Sequence, residues 1–81
     1  MRFCFNDVVL VNVFEKSGKS GEIFKYVVLM DPETYEQCEL FYSGSFGLDY
    51  LLNFLKTNVD VVLRPNRLGY SGFTAVDIKS V

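Results

Sequence analysis

The chain has 81 residues, of which 49% are hydrophobic, 16% aromatic and 22% charged; this suits one domain and excludes intrinsic disorder. A bilayer-crossing helix is excluded as well, because the longest uninterrupted apolar run is Tyr26 to Met30 and a span needs ~20 residues. Eight basic against ten acidic side chains, with no histidine, give a net charge of −2, which excludes a strongly basic nucleic-acid binder but not one with a local basic face.

Met1-Arg2-Phe3-Cys4-Phe5 leads straight to Asn6-Asp7, with no signal-peptide core, and the expectation is a cytoplasmic protein. Turn signals then divide the chain. Lys16 to Gly21 is polar with two glycines, Asp31-Pro32-Glu33-Thr34 opens on Asp-Pro, Ser43 to Gly47 is small and flexible, and Arg64 to Gly69 holds the last proline. The segments between them are rich in Val, Ile, Tyr, Phe and Thr, and read as strands over about 7–15, 22–31, 35–42, 59–64 and 70–80. The second strand is apolar on both sides, with Phe24, Tyr26, Val28 and Met30 on one and Ile23, Val27 and Leu29 on the other. Such a strand is central or is covered by something else. Cys4 and Cys38 are the two cysteines. With no C-x-x-C and no histidine they cannot build a Cys/His zinc site, and two half-buried thiols in a reducing compartment are expected.

One segment departs from the strand pattern. From Gly47 to Asn58, Leu48, Leu51, Leu52 and Leu55 recur at helical spacing and define one face. Ser45 or Gly47 can cap its start, Asp49 and Lys56 suit its two ends, and Asn58 can stop it in a left-handed conformation. A helix between the third and fourth of five strands is the element order of an OB-like Greek-key barrel. The predicted fold is therefore mainly β, a single OB-like domain over 1–81 with the leucine stripe plugging one barrel end. An open five-stranded sheet with the helix on one face is the alternative.

Charge is unevenly distributed on this plan. Lys16, Lys19 and Lys25 lie in or beside the first hairpin loop, and Arg64 and Arg67 in the last; Asp31, Glu33, Glu36 and Glu39 gather at the second hairpin. In an OB barrel the first and last of these loops flank the face on strands two and three. Aromatics interleave with the bases: Phe14 near Lys16, Phe24 and Tyr26 around Lys25, Tyr70 after Arg67, and Phe41 and Tyr42 closing strand three. Cations that follow phosphates and rings that stack on bases are what a single strand of nucleic acid needs. The same rings, Phe24 and Phe41 among them, can equally fill a barrel, and Arg64 and Arg67 can simply pair with Asp60 or Asp77.

The run Ser17-Gly18-Lys19-Ser20-Gly21 with Phe24-Lys25-Tyr26, and the stretch from Val61 through Arg64 and Arg67 to Tyr70, Phe73 and Ile78, resemble the small OB-fold single-stranded-DNA-binding proteins of bacteriophages and conjugative elements. That resemblance implies non-specific coverage of single strands during replication or transfer, by a homodimer. Carried over by position, it implies nucleic-acid contacts from Lys19, Lys25 and Tyr26 near the first hairpin and from Arg64, Arg67, Tyr70 and Phe73 around the last. The chain differs from the smallest members in its acidity and in its helix after strand three.

Other chemistry finds little support. Gly18-Lys19-Ser20 ends like a P-loop, but Val13 stands where the leading glycine belongs and a strand, not a helix, follows. Without histidine there is no Ser-His or Cys-His pair, and Glu36 and Glu39 fall on opposite sides of a strand, so no enzyme activity and no cofactor are expected. The expected function is sequence-tolerant binding of single-stranded DNA, or RNA, by a homo-oligomer, with replication or transfer proteins as further partners and no membrane. The alternatives are a small protein-interaction subunit using the same aromatic face, or an acidic inhibitor of a host DNA-binding factor.

Overall fold

In the computed structural model, residues 3–65 and 72–81 are described. The chain forms β1 (Phe3–Ser17), β2 (Ile23–Met30), β3 (Gln37–Tyr42), a short helix α1 (Leu48–Leu51) running into a 3-10 turn (Leu52–Phe54), β4 (Asn58–Pro65) and β5 (Phe73–Ser80). The strands close in the order β1-β2-β3-β5-β4. All neighbours are antiparallel except β3 and β5, which meet in parallel at Phe41↔Thr74 and Tyr42↔Ala75. The fold is thus the expected OB-like barrel, and the open-sheet alternative is set aside. No helix among the described residues is long and apolar enough to cross a membrane.

β1 is longer than its sequence suggests because Asn6-Asp7 is a bend inside the strand and not a turn before it. Asp7 adopts a positive φ of 56°, its N–H donates to Asp60 Oδ1 at 2.9 Å and its own Oδ1 accepts from Asn58 Nδ2 at 2.6 Å. The pairing with β4 skips there, between Phe5 and Val8. A second irregularity follows between Leu10 and Asn12 in the pairing with β2. Two such bulges bend one long strand so that its first half pairs with β4 and its second half with β2, which closes the barrel.

β3 starts later than its residue types suggest because Tyr35 closes the preceding turn with φ 62°. Asp31 Oδ1 accepts from the Glu33 N–H at 2.8 Å, and the Asp31 carbonyl accepts from the Tyr35 N–H at 2.8 Å. An Asx turn led by Asp-Pro thus uses the residues a strand would have taken.

The core joins Leu10, Val27, Leu29, Leu40, Val59 and Ile78 among others, all almost wholly removed from water. The helix contributes less than its leucine pattern promises. Gly47 caps it, but regular α-helix lasts only to Leu51, and the chain turns away at Lys56, whose φ is 63°, not at Asn58, which opens β4. The Thr57 hydroxyl donates to the Phe54 carbonyl at 2.6 Å and satisfies the frayed end. Leu51 is fully buried and Leu48 and Leu55 pack against the core, whereas Leu52, where the 3-10 turn begins, is 49% exposed.

Gly44 sets a local limit. A Cβ there would overlap the Tyr42 phenol, whose oxygen accepts a hydrogen bond from the Phe46 N–H at 3.3 Å. Tyr42 is interior, so its ring has little room to retreat; burial pushes its hydroxyl pKa upward, partly offset by that hydrogen bond. Gly44→Ala is therefore expected to cost about 1–3 kcal/mol, read as a lowered urea midpoint, with Gly47→Ala, which meets nothing within 4 Å, as the near-neutral control.

Candidate nucleic-acid interface

Strand alternation decides which rings lie outside the barrel. On β2, Val27 and Leu29 enter the core, so Phe24, Tyr26 and Val28 take the outer side. Register then aligns the neighbours: Phe14 on β1 faces Tyr26, and Tyr26 faces Phe41 on β3. Phe14 stacks on Tyr26 with centroids 5.1 Å apart, Tyr26 lies 4.9 Å from Phe41, and Phe41 lies 6.2 Å from Phe24. The four rings form a second apolar cluster on the outer surface of β1, β2 and β3. This is the cover that the doubly apolar second strand required.

Within the cluster the rings differ in access. Tyr26 is 6% exposed and forms the base, whereas Phe24 remains 40% exposed at the rim. Lys16 crosses above, its Nζ 5.3 Å from the Phe14 centroid and 5.2 Å from that of Tyr26. A cation in this position is held by the ring quadrupoles and keeps its charge at the surface.

The same row continues round the barrel. Phe41 faces Thr74 on β5, and Thr74 faces Arg64 on β4. Val61 and Leu63 point into the core, so Arg64 points out. It stands two strands from Phe41, about 10 Å at ~4.8 Å per strand. Its expected acidic partners are otherwise engaged: Asp60 accepts from the Asp7 N–H, and Asp77 faces Lys79 Nζ at 3.8 Å.

The structure brings Lys16, Tyr26 and Arg64 to this face, and sets Lys19 in the exposed hairpin turn beyond it. Lys25 is on the same side of β2 as Val27, across from Glu15, and not beside Tyr26. Phe73 packs against the core and meets Phe3 edge-on at 5.5 Å. Arg67 and Tyr70 lie outside the described residues. Phe14, Phe24 and Phe41, which residue type alone could not separate from core, complete the face; each lies at an odd offset from a core residue of its own strand, Val13, Val27 and Leu40.

Among the described residues no group of three or more His, Cys, Asp or Glu could hold a metal ion. Cys38 is half-buried beside the core, and desolvation raises its thiol pKa, partly offset by a hydrogen bond with the Leu29 backbone. Comparison with protein-family models, curated proteins and solved structures gave no match to this chain.

Proposed function

We propose that this protein binds single-stranded nucleic acid, with little sequence preference and without catalysis, on the outer face of β1, β2 and β3. The observation that carries this reading is the single row that runs from Phe14 through Tyr26 and Phe41 to Arg64, with Lys16 above it and Phe24 at its open rim. Rings offer a base a flat apolar surface that does not depend on base identity, and the flanking cations meet the phosphates. A duplex hides its base faces in the stack, so the same surface favours an unpaired strand. DNA is the preferred ligand by the resemblance to phage and conjugative-element proteins, which also supports a role in replication or transfer and a cytoplasmic setting.

The test is a fluorescence-anisotropy titration of labelled oligo-dT, its RNA counterpart and a duplex at about 50 and 200 mM salt. Binding of the single strand at low salt is expected, with a loss of affinity on raising salt and quenching of tyrosine emission. Indifference to every oligonucleotide at low salt, or preference for the duplex, would overturn the proposal.

A further inference from the structure

One end of the barrel is not finished by its own side chains. Phe3 and Phe5 on β1 stand opposite Leu63 and Val61, both interior, and so take the core-facing side of the strand. Yet Phe3 is 42% and Phe5 38% exposed. Pairing of β1 with β2 begins only at Val9, and the segment before it has no partner strand on that side among the described residues. The gap is a cavity of about 270 Å³ whose apolar wall is Phe5, Val8, Leu29, Met30 and Cys38. Asp31 and Glu36 line its rim, and Asp7 and Glu33 lie in the adjoining depression. No Lys or Arg occurs between Lys25 and Lys56, so the hairpin that forms the rim has no basic residue to offset these acids.

The other end of β2 carries the converse surface. β3 stops pairing with β2 at Tyr26, but the β1–β2 hairpin continues to Lys16↔Phe24 and Ser17↔Ile23 and so projects past the sheet. Ile23 is 63% exposed near its tip, with Lys19 in the turn and Lys25 behind it. Of the two acids of this arm, the Glu22 carboxylate folds over Gly18, with Oε2 3.0 Å from where a Cβ there would sit, and Glu15 faces Lys25 across the strands on the side that also carries Ile23, which leaves Lys19 as the cation at the tip. From Ile23 to Met30 is about 23 Å at ~3.3 Å per residue. A chain cannot bring its own tip to its own mouth.

We propose that the hairpin tip of one copy seats Ile23 in the acid-rimmed barrel mouth of the next, so that copies join head to tail. The apolar wall takes the aliphatic side chain, and the rim carboxylates meet Lys19 in the turn. Two mouths cannot meet, because like charges would face one another. Tip and mouth are unlike surfaces, so the contact is heterologous and leaves one of each free at the ends. Such a contact extends into longer assemblies wherever its rotation does not close a ring.

The test uses the full chain without any nucleic acid, so it stands or falls separately from the proposed function. Light-scattering mass should rise with protein concentration and fall with added salt. Ile23→Asp should stay monomeric, as should the double variant Glu36→Lys with Gln37→Lys, each with an unchanged circular-dichroism spectrum; Ile23→Ser replaces the first if its spectrum changes. Mixed in equal amounts, the two should form a heterodimer and nothing larger, since one retains only a working mouth and the other only a working tip. A parent chain that is monomeric up to millimolar concentration, a closed dimer that ignores both changes, or a mixture that stays monomeric would each overturn the proposal.

Discussion

Leu51→Ala is expected to lower the unfolding free energy by about 2–5 kcal/mol, whereas Leu52→Ala, one residue along, should change it by less than about 0.5 kcal/mol. Leu51 is the fully buried residue of the helix, and it enters a core that includes Leu10, Leu40 and Val59. Its loss removes both the transfer free energy of the side chain and the contacts of the walls it leaves. A chain of 81 residues has a total stability of roughly 4–12 kcal/mol, at ~0.05–0.15 kcal/mol per residue. The substitution therefore consumes a large share of the whole, and a urea melt should show a much lower midpoint at nearly the same slope. Leu52 is 49% exposed and has little to lose. Equal effects at the two positions would mean that the α-helix continues beyond Leu51 and that its stripe is buried throughout.

That contrast marks where sequence pattern stops being informative. Strand identity follows from β-branched and aromatic composition, and turn residues separate the strands, so element order and with it the barrel could be read in advance. Boundaries could not, where a few side chains override local preference. Asn6-Asp7 has turn composition, yet Asp7 is held inside β1 by hydrogen bonds with Asp60 and Asn58, more than fifty residues away. Tyr35 has strand composition, yet the Asp31 carbonyl holds it in the turn. The leucine stripe predicts a helix to Asn58, but periodicity assumes constant residues per turn, and the 3-10 geometry after Leu51 breaks that assumption.

The candidate face divides in the same way. Lys16 and Arg64 were legible as loop-flanking cations. Whether Phe14, Phe24 and Phe41 point in or out was not, because a closed barrel offers apolar cover on its outside wherever rings from three strands meet. Only the register, Phe14↔Tyr26↔Phe41, fixes it.

Phe24→Ala is expected to weaken binding of single strands about 5- to 150-fold, by the same factor for dT, dC and mixed sequences, while the melting temperature falls by several degrees and the protein stays folded at the temperature of the titration. The range is one lost base stack at ~1–3 kcal/mol. Phe24 is the suitable probe because it is the exposed member of the cluster, 6.2 Å from Phe41, so its removal spares the buried Tyr26 base. Lys16→Ala and Arg64→Ala act differently. Each removes one counter-charge for a phosphate, so the slope of log affinity against log salt should fall by about 0.7 per residue for a single strand, and the defect should shrink as salt rises. Tyr50→Ala supplies the control: its ring stacks on Phe46 at 4.5 Å in the helix region and belongs to a separate aromatic group. Stacking and charge thus separate in one titration series, since loss of Phe24 shifts affinity at every salt concentration whereas loss of Lys16 or Arg64 changes the slope. If Phe24→Ala binds as the parent does while Tyr50→Ala weakens, the face on β1, β2 and β3 is structural cover and the ligand lies on the helix side.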